Sequence, residues 1–160
     1  MESIFSRLSS LLKELAQMEK LTSENYTLNK KPVRIRELID EASDLLYLKE
    51  EIKTNVLDEM IDADFSSMSI VFKNLIDNGY KYGEELEIKV ENNMIFFMST
   101  GKALDESLAY YTEAFSKGRD ISKQKGFGLG LYIVSEILKK HDMNFSYEYK
   151  LGQNIFIIRL

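Results

Sequence analysis

Apolar residues recur along this chain with two different periods, and each period predicts a type of element. In Ile4–Leu21 they recur at steps of three and four, which is the spacing of one helical face. The same spacing predicts helices over Arg36–Lys49, Asp64–Tyr82 and Gly128–His141. The pattern therefore predicts a long leading helix followed by three further helices.

Short apolar stretches between these helices predict strands. They cover Glu51–Leu57, Glu85–Val90, Met94–Met98, Asn144–Lys150 and Asn154–Leu160. The pair Asn92-Asn93 accepts the positive φ angles that a tight hairpin turn requires. The combination favours an α+β fold, a two-layer α/β sandwich in which a mixed, mainly antiparallel sheet packs against three helices, preceded by the long N-terminal helix.

The only proline marks a boundary between the leading helix and the rest of the chain. Pro32 lies in Leu28–Arg36, where it blocks a helix and favours extended backbone. We therefore expect a helical part over residues 1–27 and a main domain over residues 28–160. The leading helix has two interpretations: a core helix of one domain, or half of a bundle that dimerises.

Composition removes several classes of function. The 160 residues include no cysteine and one histidine, which excludes thiol catalysis, thiolate metal sites and histidine clusters. With 21 Lys and Arg against 26 Asp and Glu, the net charge of −5 argues against a nucleic-acid partner. Since no apolar run is long enough to cross a membrane and no leader opens the chain, we expect it to be cytoplasmic.

The first motif with candidate chemistry is NLIDNGYKY, Asn74–Tyr82. Asn74 and Asn78 are four residues apart and share a helical face, and Lys81 and Tyr82 follow on the same side. Two amides on an inward face are costly unless something bonds to them or is coordinated by them. The alternative is that Asn78-Gly79 simply ends the helix.

Two further motifs are rich in small residues. GFGLGL, Gly126–Leu131, opens a helix, where alternate glycines allow close approach and helix amides favour an anion; it lacks the Rossmann and P-loop spacings. STGKAL, Ser99–Leu104, follows a strand and is either a ligand-binding turn or an ordinary loop. Between them, the polar segment Leu104–Gly126 predicts a mobile region with a short helix around Glu106–Thr112.

The order of these motifs, with TEAFSKG between the last two, resembles the ATP-binding catalytic domain of sensor histidine kinases, which have the Bergerat fold of the GHKL superfamily. The resemblance covers roughly residues 28–160. RLSSLLKELAQMEKL resembles the end of the second helix of the dimerisation and phosphotransfer hairpin. The first box of the family usually reads N-L-x-x-N-A-x-K-Y, so Gly79 replaces an alanine, whereas G-x-G-L-G-L is intact.

This resemblance implies ATP and magnesium as cofactors. Asn78 resembles the magnesium-coordinating asparagine, and Asn74 would contact metal or phosphate. Lys81 resembles the phosphate-contacting lysine, and these three residues are the implied catalytic set. Tyr82 resembles the aromatic residue that lines the nucleotide pocket. The other implied nucleotide-binding positions are Ser99, Gly101, Ala103, Leu104, Phe115, Lys117, Gly126, Gly128, Leu129, Gly130 and Leu131.

One box departs from the family. The usual D-x-G-x-G, whose aspartate accepts the adenine amino hydrogen, is replaced by Ser99, Gly101 and Ala103 at the corresponding places. A serine oxygen is shorter and uncharged, so the adenine contact is expected to be weaker or mediated by water. We expect a loss of roughly 1–3 kcal/mol of adenine recognition, with lower affinity or base selectivity.

The implied activity is transfer of the ATP γ-phosphate to a histidine of the kinase's own dimer, for relay to the aspartate of a response regulator. No histidine precedes His141, which occupies a place where the family often has a structural histidine. We therefore expect a fragment of a kinase that dimerises through its hairpin and is anchored in the bacterial inner membrane. Two alternatives are a degenerate nucleotide-sensing or scaffold module, favoured by Ser99 and Ala103, and an anti-sigma-type serine kinase, which Asn74 disfavours because position 74 would carry a general base.

Overall fold

The structure, a computed structural model, describes residues 3–23, 25–113 and 129–160. Helices and strands follow one another much as the apolar pattern predicts. The elements are α1 (Ile4–Thr22), β1 (Lys30–Arg34), α2 (Ile35–Leu45), β2 (Lys53–Thr54), β3 (Met60–Asp64), α3 (Phe65–Tyr82), β4 (Glu84–Glu91), β5 (Met94–Thr100), α4 (Leu108–Thr112), α5 (Gly130–Lys140), β6 (Asn144–Lys150) and β7 (Gln153–Arg159).

The main sheet has five strands in the order β2-β4-β5-β7-β6. Only the β2–β4 pair is parallel, so the sheet is mixed and mainly antiparallel. Helix α3 packs on β4 and β5, α5 packs on β6, and α2 packs on α3. The rings of Phe72 and Phe97 meet edge to face at 5.1 Å in the buried layer between helices and sheet. The predicted two-layer α/β sandwich is confirmed.

A second sheet was not predicted. Strands β1 and β3 form an antiparallel pair in which Pro32 lies opposite Asp62. Pro32 is tolerated because both strands of a two-stranded sheet are edges. Only Val33 is buried in β1, so the alternation that would reveal a strand is almost absent. The predicted strand Glu51–Leu57 is real but contributes only two residues to the sheet.

Helix α1 docks on the domain through its C-terminal half. Leu21 is buried, and it packs with Met18 against Tyr132 and Ile133 of α5. The N-terminal half carries an uncovered apolar face made of Ile4, Phe5, Leu8 and Leu12. None of the described helices combines the length and the apolar composition that crossing a membrane requires.

Glu14 brings a carboxylate from α1 to the surface of α3. The side chain is partly buried, and its Oε2 atom has no hydrogen-bond partner among the described residues. Burial raises the pKa of Glu14, while the nearby Lys73 and Lys81 act to lower it and Asp77 adds to the rise. The carboxylate of α1 and the charges of α3 therefore influence one another.

His141 joins the end of α5 to the beginning of α3. The side chain is 4% exposed; Nδ1–H donates to the Ile137 carbonyl at 2.8 Å, and Nε2 accepts from the Asp64 backbone N–H at 3.1 Å. Asp64 in turn caps α3, because Oδ1 accepts from the Ser67 N–H at 2.9 Å. Both ring nitrogens of His141 are thus engaged in holding two helices together.

Candidate functional site

Helix α3 supplies the first part of the site. It runs without interruption through Gly79 to Tyr82, so the alternative in which the helix ends at Asn78-Gly79 is wrong. A methyl group at Gly79 would lie 2.8 Å from Cδ1 of Leu86. The side chain of Leu86 therefore fills the space that the family's usual alanine would need.

Asn74 connects α3 to the glycine motif. Its Nδ2 donates a hydrogen bond to the carbonyl of Gly130 at 3.2 Å, which brings the middle of α3 beside the first residue of α5. Asn78 lies one turn further along α3 and is partly buried like Asn74. Two motifs that are more than 50 residues apart in sequence therefore meet.

Lys81 keeps its positive charge at the end of this face. Its Nζ lies 3.0 Å from Oδ2 of Asp77, one turn earlier. Partial burial acts to lower the pKa of Lys81, but the hydrogen bond and charge of Asp77, with smaller contributions from Tyr82 and Glu14, raise it above its ordinary value. Lys81 is therefore favoured as a cation, ion-paired with Asp77 on the helix that carries the two amides.

The N-terminus of α5 faces Asn74. Leu129 and Leu131 are buried and fix the start of this helix in the core, whereas the apolar side chain of Leu129 cannot cap it. The first amides of α5 therefore depend on another group for their hydrogen bonds. Of the sequence-predicted site residues, four lie outside the described residues: Phe115, Lys117, Gly126 and Gly128.

The Ser99–Leu104 turn closes the other side of the site. A Cβ atom at Gly101 would lie 2.8 Å from the carbonyl oxygen of Tyr82 and 3.2 Å from Cα of Gly83, so the end of β5 touches the end of α3. A Cβ at Gly83 would in turn lie 2.8 Å from Oγ of Ser99. Gly83 was not predicted to belong to the site, although a glycine directly after a helix is a recognisable feature of the sequence.

Residues of the last hairpin, Asn154 and Tyr147 among them, also reach this turn and were not predicted as site residues. Nδ2 of Asn154 donates to the carbonyl of Lys102 at 2.9 Å, and the backbone N–H of Leu104 donates to the hydroxyl of Tyr147 at 3.1 Å. Both residues place polar side-chain atoms at inward-facing positions of β6 and β7, and this feature of the sequence could have indicated them. Ala103 lies between these two anchored positions and is partly buried.

A cavity of about 400 Å³ lies elsewhere, between α4, α5 and β6. It contains none of the sequence-predicted site residues. Its lining consists of Leu108, Ala109, Thr112, Ser135, Leu138, Lys139, Met143, Asn144 and Phe145. Four predicted site residues fall within residues 114–128, outside the described ranges, so this cavity is not assigned to the predicted nucleotide site.

The oxygen donors on α3 fit a magnesium ion that takes most of its ligands from elsewhere. Within residues 3–23, 25–113 and 129–160, no group of three or more acidic or histidine side chains could hold a metal. Asn74 and Asn78 offer amide oxygens on one face, which suit a hard cation. Magnesium commonly uses one or two protein ligands and completes its shell with phosphates and water.

The candidate site thus combines paired asparagines on α3 with the glycine-initiated start of α5 in a two-layer α/β domain. Over residues 63–160 the chain matches the family of histidine kinase-, DNA gyrase B- and HSP90-like ATPases, and it belongs to that family. The matched segment includes α3, the Ser99–Leu104 turn and α5, which together form the candidate site.

Two relatives cover almost the whole chain. The sensor histidine kinase ArsS of Helicobacter pylori is 33% identical over 162 residues, covering 98% of this chain and 38% of the relative. The sensor protein SrrB of Staphylococcus aureus is 29% identical over 180 residues, covering 96% of this chain and 29% of the relative. The chain thus spans well under half the length of these curated relatives.

Solved histidine kinases share the fold. The histidine kinase AdeS of Acinetobacter baumannii superposes with a TM-score of 0.69 at 18% identity, covering 94% of this chain and 76% of that chain. The histidine kinase ThkA, solved in complex with the response regulator protein TrrA, superposes with a TM-score of 0.64 at 21% identity, covering 96% of this chain and 47% of that chain. These likenesses concern the fold alone.

Proposed function

We propose that this chain binds magnesium-ATP and is the catalytic module of a two-component sensor histidine kinase. The observation that carries the proposal is the hydrogen bond from Asn74 to Gly130, which joins the amide face of α3 to the N-terminus of α5. Membership of the ATPase family and similarity to sensor kinases such as ArsS support it. The module occupies residues 28–160, and residues 1–27 end the dimerisation and phosphotransfer hairpin.

The phosphate end of the nucleotide lies between α3 and α5 in this proposal. Asn78 and Asn74 hold the magnesium ion, which supplies charge neutralisation when bound. Lys81 contacts the phosphates as a cation, and the amides of Gly130 and the preceding glycine loop donate to phosphate oxygens. Since phosphoryl transfer depends mainly on positioning and on neutralising charge, Asn74, Asn78 and Lys81 are the proposed catalytic residues.

The base end lies against the Ser99–Leu104 turn and Tyr82. The hydroxyl of Ser99 and the backbone of Gly101 and Ala103 form this side, and Leu104 covers it. Leu129 and Leu131 secure the start of α5 beside the pocket. Four further residues are proposed to bind the nucleotide on the basis of the sequence alone: Phe115, Lys117, Gly126 and Gly128.

The phosphate acceptor in this proposal is a histidine on another helix. His141, the sole histidine of the sequence, is buried with both ring nitrogens bonded, so it is not available for transfer. The exposed apolar face at Ile4–Leu12 supports a homodimer through the hairpin. A response regulator aspartate receives the phosphate next, and the parent kinase is anchored in the inner membrane.

A second candidate is a nucleotide-sensing or scaffold module without turnover. It is favoured by Ser99 and Ala103, which replace two positions of the family's D-x-G-x-G box. This candidate shares nucleotide binding with the first and differs from it in lacking phosphotransfer. The two are separated by measuring binding and transfer independently.

The proposed binding site is tested with Asn78→Ala. We expect this substitution to abolish magnesium-dependent ATP binding in calorimetry, because it removes an amide oxygen from the proposed metal face while adding a good helix former. Asn144→Ala is the matched control. Asn144 is exposed and begins β6, at the end of the strand that is far from the Ser99–Leu104 turn. Equal ATP affinity in Asn78→Ala and the unmodified chain, with matching thermal unfolding, would overturn the site assignment.

A further inference from the structure

The backbone of the Ser99–Leu104 turn is held by side chains that come from a different part of the chain. The hydroxyl of Tyr149 donates to the carbonyl of Gly101 at 2.9 Å. The amide of Asn154 donates to the carbonyl of Lys102 at 2.9 Å, and Lys102 comes three residues after Ser99, the residue opposite Asn154 in the β5–β7 pair. The turn therefore takes its position from β6 and β7 as well as from the end of β5.

Asn154 and Tyr147 form a continuous chain of hydrogen bonds across the turn. Oδ1 of Asn154 accepts from the Tyr147 hydroxyl, and that hydroxyl accepts from the backbone N–H of Leu104. With the bond from Nδ2 of Asn154 to Lys102, two backbone groups of the turn are connected through two side chains. Asn154 is 5% exposed, so breaking this chain would leave buried polar groups without partners.

At its start the turn is also held by the backbone N–H of Gly101, which donates to the carbonyl of Gly152 at 3.1 Å, whereas Lys102 and Leu104 are held through Asn154 and Tyr147. On the α3 side it is in contact with backbone at Tyr82 and Gly83, which limits how closely it can approach but does not stop it from moving away. Ser99 supplies only a short, uncharged side chain at the point where the turn begins. Recognition of a base by such a turn depends on where its backbone and the Ser99 hydroxyl lie, because neither can extend to follow a displaced ligand.

We propose that Tyr147 and Asn154 are positioning residues for base recognition: they fix the Ser99–Leu104 turn so that nucleotides with different bases bind with different affinity. The inference rests on the proposed function, since it requires that a nucleotide base lies against this turn. Neither residue needs to touch the nucleotide. Their effect reaches the ligand through the backbone of Lys102 and Leu104.

The test compares the affinities of magnesium-ATP and magnesium-GTP in the unmodified chain and in Tyr147→Phe, measured by calorimetry. Phenylalanine keeps the ring packed 5.0 Å from Phe156 and removes only the hydroxyl that joins Asn154 to Leu104. We expect the ATP affinity to fall about five- to tenfold, the usual effect of one net hydrogen bond, with a smaller change for GTP. The ratio of the two affinities therefore moves toward one.

Two further variants make the test specific. Asn154→Leu removes both hydrogen bonds of the side-chain amide while keeping a similar volume. We expect it to shift the ratio of the ATP and GTP affinities in the same direction. Tyr47→Phe removes the hydroxyl of a tyrosine that is 89% exposed and is expected to leave both affinities unchanged. Thermal unfolding without nucleotide accompanies each variant, so a loss of fold is recognised directly.

The outcomes separate this inference from the proposed function. If the unmodified chain binds neither nucleotide, the proposed function fails and the inference fails with it. If the unmodified chain binds both nucleotides equally, or if Tyr147→Phe and Asn154→Leu weaken both by the same factor, nucleotide binding stands and the positioning role is overturned. A changed ratio in both variants, with an unchanged ratio in Tyr47→Phe, supports the positioning role.

Discussion

At the scale of single residues, two glycines near the end of α3 differ in the stiffness of their neighbours. A Cβ at Gly79 would meet the end of the Leu86 side chain, which can change rotamer. A Cβ at Gly101 would meet the carbonyl oxygen of Tyr82 and Cα of Gly83, both of which belong to the backbone. Only Gly101 is therefore required for its lack of a side chain.

We predict that Gly101→Ala lowers the free energy of unfolding by about 1–3 kcal/mol, the usual cost of inserting a methyl group into a filled space. It should also weaken ATP binding, because the Ser99–Leu104 turn must move away from α3. Denaturant unfolding and calorimetry measure the two effects. Gly79→Ala is the matched control and should cost less, because alanine favours the helix and Leu86 can shift. A smaller loss of stability in Gly101→Ala than in Gly79→Ala would contradict this account.

Residues of the site differed in how well the sequence predicted them. Asn74, Asn78 and Lys81 were predictable because helical spacing alone places them on one face. The contact of Asn74 with Gly130 was not predicted, because helical spacing cannot align two distant motifs. The contact of Asn154 with Lys102 was not predictable, because the two residues are 52 positions apart and the bond depends on the register of β5 and β7.

At the scale of elements, His141 is the group through which we expect pH to affect the packing of α5 on α3. Burial lowers the pKa of His141, and Lys30 adds to this, while the Ile137 carbonyl, Asp64 and Asp62 oppose it. A histidine with a depressed pKa in the folded state stabilises the fold above its unfolded pKa near 6.5 and loses that contribution as pH falls. Protonation also converts Nε2 from an acceptor into a second donor facing the Asp64 N–H.

We therefore predict that the stability difference between the unmodified chain and His141→Leu, whose side chain cannot accept a hydrogen bond, depends on pH. Near pH 7.5 the unmodified chain should be more stable by about 1–3 kcal/mol, because the buried Asp64 N–H loses its partner in the variant. The difference should shrink as pH falls from about 7 to about 5. Urea unfolding at several pH values provides the measurement. If the difference in the free energy of unfolding stays constant over this range, protonation of His141 does not affect the stability of the fold.

The sequence predicted helices well where a long segment carries one continuous apolar face. The helices α1, α3 and α5 lie where the three-to-four spacing placed them, and the Asn92-Asn93 hairpin has the expected positive φ angles of 50° and 62°. The short helix around Glu106–Thr112 is present as Leu108–Thr112, whereas residues 114–126 of the predicted mobile region lie outside the described ranges. The pair β1–β3 escaped prediction because its strands bury few side chains and pair across a helix.

At the scale of the whole molecule, the only histidine of the sequence, His141, has a structural role. We predict that the chain alone binds ATP but does not label itself with γ-phosphate, since both nitrogens of His141 are bonded and the side chain is buried. Adding a hairpin that carries a histidine should restore transfer, because the exposed apolar face of α1 at Ile4, Phe5, Leu8 and Leu12 gives it a surface for docking. Radiolabelled ATP, with and without the hairpin, provides the measurement.

The chemistry of the label identifies the class of enzyme. Phosphohistidine is labile in acid, so transfer to the added hairpin should give an acid-labile product. An acid-stable label on the chain alone would indicate a serine kinase instead. Binding of ATP with no label in either condition would favour the module that senses nucleotide without turnover. A hairpin whose histidine is replaced by glutamine is the control.

The partly buried carboxylate of Glu14 connects α1 to the phosphate end of the proposed site. Lys81 lowers the pKa of Glu14, and Glu14 raises the pKa of Lys81, so the two groups share a coupling free energy although they lie on different helices. Such a coupling is reciprocal by thermodynamic linkage. We therefore expect an anion bound at Lys81 to change the affinity of α1 for its docking surface. Docking of α1 should change the affinity for that anion by the same factor.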